Sequence, residues 1–192
     1  MAKHDAYPEL QFATPAKFNA WLKQNHGKED GVWLRLAKKA APEKTVTYVE
    51  AVEVALCWGW IDGQGKAIDE HYSGQKFTPR GRRSRWSQIN VGRVERLIAD
   101  GRMQAPGLAE VDKAKADGRW AAAYAPPSTT EVPDDFAAAL RKNKPAAAFF
   151  ETVSKTNRYA FIYRINDAKK PETRASRIEK FVGMLERGET LH

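Results

Sequence analysis

The residues most able to do chemistry lie in two short stretches of the chain. The first covers residues 55–63 and places one thiol, one carboxylate and two indoles within nine positions. These side chains belong to Cys57, Trp58, Trp60 and Asp62. A carboxylate beside large apolar side chains is a candidate general base, and it is equally a candidate partner for an arginine. The alternative for Asp62 is a purely structural ion pair.

The second stretch covers residues 77–90 and supplies cations, hydroxyl groups and another indole. Between Arg80 and Arg96 there are six arginines and one acid, Glu95, so this segment carries a net charge of +5. Arginine favours bidentate recognition of phosphate or carboxylate over diffuse charge. We therefore expect the two stretches to face one cleft that binds an anionic ligand, either phosphate-bearing or nucleotide-like. The alternative is a solvated basic surface.

Each type of candidate residue has an expected role in this cleft. The arginines provide charge, while serine and asparagine provide hydrogen bonds at the start of a helix. Trp86 lies in a polar run that helical periodicity does not explain, so we expect its indole to stack on the ligand. The candidate ligand-binding residues are Trp60, Asp62, Arg80, Arg82, Ser84, Arg85, Trp86, Ser87, Asn90, Lys170 and Arg174.

The lone cysteine is a weaker candidate. His71 could activate Cys57 as a nucleophile, but a cysteine among apolar residues is more typical of an inert core position. The segment 63–67 resembles a phosphate-binding loop, yet Trp60 and Ala67 stand where that motif requires a glycine and a hydroxyl residue. The four histidines lack the spacing of a zinc site. We expect neither a metal nor another cofactor.

Composition is that of a folded protein with acidic partners. The chain has 192 residues, 42% of them hydrophobic, and a formal net charge of +8. Such a charge favours anionic small molecules or nucleic acid as partners. No apolar run is long enough to cross a bilayer, and the first residues do not form a signal peptide. We therefore expect a soluble cytoplasmic protein without membrane insertion, and the oligomeric state stays open.

Local patterns predict the elements that position these stretches. Capping residues predict helices that begin near Thr14, Thr47, Ser87 and Pro106, and Gly59 is well placed to end the second of them. Alternating polarity predicts a strand at residues 32–36, and a hairpin follows the second helix, with its turn at Asp69-Glu70 and bulges at its glycines. The fold class is therefore α+β, with a small antiparallel sheet of about three strands and helices in the N-terminal part.

The C-terminal part is predicted to be all helical. Residues 1–124 form the α+β domain with the cleft, residues 125–133 have the composition of a linker, and residues 134–192 form a helical subdomain. In the last helix Lys170, Arg174 and Arg177 share one face, and we expect this second basic patch to close over the first.

Several ordered motifs along the chain carry a family resemblance. They are Tyr48-x-Glu50-Ala51, the whole of residues 55–63, Phe77-Thr78-Pro79-Arg80, Ser84-x-Trp86-Ser87-x-x-Asn90, Gly101-Arg102-Met103, Gly107-Leu108, the run 168–174 and Arg177-Ile178. With these motifs the chain resembles the YdeI/OmpD-associated family, also called bacteriocin-protection proteins. The resemblance implies a bacterial protein associated with stress or bacteriocin tolerance, and it implies no particular reaction. Gly81 departs from the family pattern, which has another basic residue there.

Three further functions remain open at this point. The basic faces could bind nucleic acid, which would make affinity fall steeply with salt. The protein could be a hydrolase-like enzyme that uses Asp62 as general base and the arginines as a clamp for the developing charge. It could also be an interaction module that binds an acidic protein through the same faces.

Overall fold

The computed structural model describes residues 7–126 and 129–192. It divides into two compact units, one that ends at Tyr124 and one that begins at Ala125. The predicted linker at residues 125–133 stays a prediction, and Pro127 and Ser128 lie outside the described residues, as does His4.

The N-terminal unit combines a small sheet with helices. Its described elements are β1 (Glu9–Leu10), α1 (Pro15–Asn25), β2 (Val32–Ala37), α2 (Tyr48–Cys57), β3 (Trp60–Ala67), β4 (Tyr72–Pro79), α3 (Gln88–Ala99) and α4 (Ala105–Ala116). The strand order is β1-β2-β4-β3, with β1 parallel to β2 and the other neighbours antiparallel. The predicted α+β class is confirmed, and the sheet is mixed because β1 adds a fourth strand. That strand has only two residues, too few to show an alternating pattern.

Side-chain caps begin α1, α2 and α3 where the sequence predicts them, whereas α4 begins without one. Thr14 accepts from the backbone of Lys17, and Ser87 accepts from the backbone of Asn90. Thr47 and Glu50 form a complete capping box at the start of α2. Such caps satisfy backbone N–H groups that have no partner inside the helix, which is why they mark helix starts reliably.

Two glycines allow the close packing at the end of α2. Gly59 has a φ of 75°, a conformation that favours glycine, and it reverses the chain between α2 and β3. Gly107 in α4 lies against the last turn of α2, so that a methyl group there would be 2.7 Å from the carbonyl carbon of Cys57. The two helices can therefore approach only because residue 107 has no side chain.

The β3–β4 hairpin has the predicted form. Its turn lies at residues 68–71, where Asp69 accepts from the backbone N–H groups of His71 and Tyr72. The register shifts between Asp62 and Gly65, so the glycine-rich segment does contain a bulge. The hairpin sets the positions of the two stretches. Residues 55–63 run from the end of α2 into β3, and residues 77–90 run from the end of β4 into α3.

The C-terminal unit is helical in its described part, as predicted. Its helices are α5 (Asp134–Lys142), α6 (Lys144–Thr152), α7 (Lys155–Asn166) and α8 (Pro171–Glu186). They bury a core of their own that includes Phe136, Phe150, Phe161 and Phe181. Among the described helices of the chain, none is long and apolar enough to cross a membrane.

Candidate functional site

The hairpin brings the two stretches together. Trp60 at the start of β3 pairs with Pro79 at the end of β4, and Asp62 pairs with Phe77. The next residue after β4, Arg80, donates its backbone N–H to the carbonyl oxygen of Gly59 at 2.9 Å. The carboxylate of the first stretch and the first arginine of the second therefore lie at the same end of the sheet.

Arg80 is the unusual residue of this region. Its side chain is buried, with 7% of the residue exposed, and its guanidinium lies 3.5 Å from the centre of the Trp86 ring. Nη1 donates to the carbonyl oxygen of Arg85 at 3.3 Å. Burial lowers the pKa of Arg80 to about 10, although the negative charges of Asp62 and Glu110 act in the opposite direction. A guanidinium in this setting has lost much of its hydration without an equivalent replacement.

One edge of the Arg80 guanidinium has no partner. Its buried Nε and Nη2 atoms make no hydrogen bond, and no carboxylate in the described ranges forms an ion pair with this side chain. Nε and Nη2 point to the same side of the planar group, so this edge can bind two oxygens of one carboxylate or phosphate. The arrangement presents a bidentate anion site with a charge that is already desolvated, and because Nε and Nη2 are buried, a ligand reaches them only when the side chains that cover this edge move aside.

Trp86 supports Arg80, and this differs from its predicted role as a stacking platform for the ligand. Only 2% of Trp86 is exposed, and its ring contacts Arg80 at 3.5 Å and Trp120 at a centroid distance of 4.8 Å. A ligand ring therefore has no free face of this indole to stack on. The buried Nε1 of Trp86 has no hydrogen-bond partner, which leaves a further unpaired donor next to the arginine.

Asp62 forms a hydrogen-bonded pair with Tyr48. The Tyr48 hydroxyl donates to Oδ2 of Asp62 at 2.7 Å, while Tyr48 itself remains 42% exposed. Partial burial and this hydrogen bond raise the pKa of Tyr48 to about 12, whereas the nearby charge of Arg93 lowers it. Asp62 is half-buried and not enclosed by apolar residues. Its use as a general base stays a prediction.

Ser87 and Asn90 are buried beside this cluster and already have structural partners. The Ser87 hydroxyl caps α3, and Oδ1 of Asn90 accepts from Arg93 at 2.9 Å. The backbone of Ser87 forms a parallel bridge with Tyr124, whose own backbone N–H donates to the carbonyl of Trp86. Both predicted residues therefore lie close to the Arg80–Trp86 pair, where they hold the start of α3.

The other predicted residues of the second stretch point elsewhere. Arg82 is exposed at the turn that follows β4, and Oγ of Ser84 accepts from the backbone of Gly81 at 3.0 Å. The guanidinium of Arg85 lies 5.4 Å from the Tyr124 ring. An open depression of about 710 Å³ is lined by Gly81, Arg82, Arg83 and Ser84. The expected cleft lined by several arginines is thus replaced by one buried arginine and an open, solvated turn.

Trp60 and Cys57 belong to the core. Trp60 is 1% exposed, packs on Trp21 and donates to the carbonyl of His26 at 3.1 Å. Its indole could reach a ligand only if the core opened. Burial raises the pKa of Cys57 to about 11, so the thiol is protonated at neutral pH and unsuited to nucleophilic attack. His71 also lies at the opposite end of the hairpin.

The predicted second basic patch is used inside the C-terminal unit. Arg174 pairs with Asp135 and donates to the carbonyl of Ile165 at 3.0 Å. Arg177 donates to the carbonyl of Arg164. Lys170 is exposed and occupies the N-cap position of α8. Arg174 and Arg177 therefore connect α8 to α5 and α7 within the C-terminal unit, and a ligand-binding role for Lys170 and Arg174 stays a prediction.

Tyr48, Arg93 and Tyr124 belong to the site region although they were not among the ligand-binding residues expected from the sequence. Tyr48 stood out only as part of a family motif, and Arg93 was one of six similar arginines. Tyr124 follows a segment without any recognisable motif. No group of three metal-binding side chains occurs in residues 7–126 or 129–192.

The fold and site define a two-unit protein, an α+β unit with a buried arginine and an all-helical unit. Residues 10–110, more than half of the chain, match the model of a family described as a domain of unknown function (DUF8412), so the chain belongs to that family. Residues 129–188 match the model described as "Bacteriocin-protection, YdeI or OmpD-Associated". This confirms the resemblance in the C-terminal part of the chain. No curated protein and no solved structure matches the chain.

Proposed function

We propose that the protein binds a small anionic ligand at the unpaired edge of Arg80. The observation that carries the proposal is a buried guanidinium whose Nε and Nη2 atoms have no hydrogen-bond partner. An oxyanion at this edge makes two charge-assisted hydrogen bonds, and it neutralises a charge that has already lost its hydration. Because the Arg80 guanidinium is already desolvated in the folded protein, its desolvation does not reduce the binding energy. A small ligand is therefore sufficient.

Neither Trp60 nor Trp86 has a free face on which a nucleobase could stack. A simple oxyanion is therefore better supported than the nucleotide-like ligand that the sequence also suggested. The match of residues 129–188 supports a setting in bacteriocin protection, and an association with stress tolerance stays a prediction. A cytoplasmic location stays a prediction.

Titration with acetate and with inorganic phosphate, followed by heteronuclear NMR, tests this proposal. The Nε–H signal of Arg80 and the indole N–H signal of Trp86 should shift and saturate together with one of these anions. Arg80→Met should abolish the saturable shift of the Trp86 signal. Arg83→Met removes the same charge from an exposed side chain three positions along and should leave the titration unchanged. Equal effects of both replacements would mean that the anion responds only to overall charge.

Nucleic-acid binding is the second candidate, because Arg82 and Arg83 are exposed at the open depression after β4. This function predicts an affinity whose logarithm falls linearly with the logarithm of salt concentration, by about 0.7 to 0.9 per phosphate contacted. It also predicts that replacing Arg82 and Arg83 together weakens binding, whereas Arg80→Met does not. Fluorescence anisotropy with a labelled oligonucleotide at several salt concentrations separates the two candidates.

A further inference from the structure

Charges of both signs lie near Arg80, and the pairing of β3 with β4 brings Asp62 to the same end of the sheet. Asp62 and Glu110 lie close enough to favour its charged form, and Arg119 lies close enough to oppose it. Glu110 is bonded to Lys113 at 2.8 Å, and Arg119 is bonded to Asp117 and to the carbonyl of Ser84. Asp62 is therefore the carboxylate near Arg80 that is not already in an ion pair among the described residues.

Asp62 has unused hydrogen-bonding capacity. Oδ2 accepts from Tyr48, and Oδ1 accepts no hydrogen bond within the described parts of the chain. Asp62 lies on β3, an edge strand of the sheet, and it is half-buried, so a small molecule can reach it from solvent. The carboxylate is not in contact with the Arg80 guanidinium, although the two attract each other. A ligand that bears both charges can bridge such a separated pair.

We infer that the ligand is a small amino-acid-like zwitterion, with its carboxylate on Nε and Nη2 of Arg80 and its amine on Oδ1 of Asp62. The inference rests on the proposed anion site and specifies its ligand. A carboxylate is planar and matches the guanidinium edge, while an ammonium group supplies the donor that Oδ1 lacks. The exposed ring of Tyr48, next to Asp62, can add a cation–π contact with the same amine.

A dianionic phosphate fits this environment less well. It would bring two negative charges toward Asp62 and Glu110, and like charges at short range are unfavourable in a partly desolvated site. Arg93 also lies near Tyr48 and keeps its positive charge, since Asn90 is a neutral partner, so the charges of Arg80 and Arg93 are balanced by those of Asp62 and Glu110. The mixed charge of the site therefore favours a ligand with no net charge over a dianion.

Matched pairs of probes that differ by one amine test the inference. We would titrate acetate against glycine, propionate against β-alanine, and butyrate against γ-aminobutyrate, and follow the Arg80 Nε–H and Trp86 indole signals by NMR. Inorganic phosphate is the dianionic probe. In at least one pair, the amino compound should bind about tenfold more tightly than its parent acid, because it adds one charge-assisted hydrogen bond.

Two variants assign this preference to Asp62. Asp62→Asn should reduce the ratio of affinities within that pair to about one, a loss of about tenfold. Asp112→Asn removes the same charge from an exposed position on α4 and should keep the ratio. A general disturbance of the hairpin by Asp62→Asn would weaken the binding of the parent acid as well, so an unchanged affinity for the acid shows that only the acceptor for the amine was lost.

The outcomes distinguish the two proposals. If no acid, amino acid or phosphate shifts the Arg80 and Trp86 signals in the unaltered protein, the anion site itself is refuted. If the simple acids bind but the amine adds nothing in any pair, or if phosphate binds more tightly than every zwitterion, the inference about the ligand fails and the anion site stands. An unchanged ratio in Asp62→Asn also refutes the inference.

Discussion

Replacing Arg80 by methionine removes a buried charge and keeps most of the aliphatic stem. Burial lowers the pKa of Arg80 to about 10, more than two units below the ordinary value of an arginine. Since one pKa unit corresponds to 1.36 kcal/mol, the charged side chain destabilises the folded state by about 3 kcal/mol. The unfolded chain binds this proton more tightly, so the penalty is complete at every pH below about 10, including neutral pH.

The same replacement also removes favourable contacts. The contact with the Trp86 ring at 3.5 Å contributes about 2 kcal/mol in a desolvated setting. The hydrogen bond from Nη1 to the carbonyl of Arg85 contributes about 1.5 kcal/mol more, because its donor is charged. Gains and losses nearly cancel, so we expect Arg80→Met to change the free energy of unfolding by no more than about 1 kcal/mol.

Urea unfolding in a buffer without carboxylate or phosphate measures this change. Arg83→Met is the control, and we expect it to stay within about 0.5 kcal/mol of the unaltered protein, as exposed replacements do. A saturating anion should then stabilise the unaltered protein and Arg83→Met, by about 3 kcal/mol at a concentration of about one hundred times its Kd, and leave Arg80→Met unaffected.

A loss of more than about 3 kcal/mol in Arg80→Met, with a neutral control, would refute this reasoning. It would show that Arg80 holds the fold together through partners of its own, as the buried member of a structural ion pair does. The missing partners of Nε and Nη2 would then not indicate a ligand, and the proposed ligand site would lose its main support.

Three further predictions follow from burial and close contact. Because burial raises the pKa of Cys57 to about 11, a disulfide reagent near neutral pH should react with the folded protein much more slowly than with the urea-unfolded protein, and equal rates would contradict the burial. Gly107→Ala should destabilise the protein by about 2 kcal/mol or more in urea unfolding, since its methyl group meets the backbone of α2. Gly92→Ala, whose methyl group meets nothing within 4 Å, should stabilise it by about 0.5 to 1 kcal/mol. Ultraviolet titration of the protein, compared with that of Tyr48→Phe, should show that Tyr48 ionises at a pH near 12. The raised pKa of Tyr48 stabilises the fold at pH values below about 10, and this stabilisation is lost as the pH rises toward 12. Asp62→Asn should lower this pKa only partly, because burial is the larger cause, and a native midpoint near 10 would contradict both the burial of Tyr48 and its bond to Asp62.

Local signals in the sequence predicted most elements of the N-terminal unit. Thr47 and Glu50 stand three positions apart, and their reciprocal bonds need no distant residue, so the start of α2 could be located without a structure. The same holds for the Ser87 cap and for the bulge in the glycine-rich hairpin. The two-residue strand β1 could not be found, because it exists only through its pairing with β2.

The candidate site divides in the same way. The sequence by itself determined that an acid, several arginines and an indole come close together, since a hairpin must return the chain to its starting point. It did not determine which arginine is buried. Only the tertiary structure decided that Arg80 lies on Trp86 while Arg82 remains in solvent. Burial depends on what packs above a residue, and here Trp120 and Tyr124 come from a segment more than thirty positions away. Charge is a property of each residue, whereas its desolvation is a property of the whole fold.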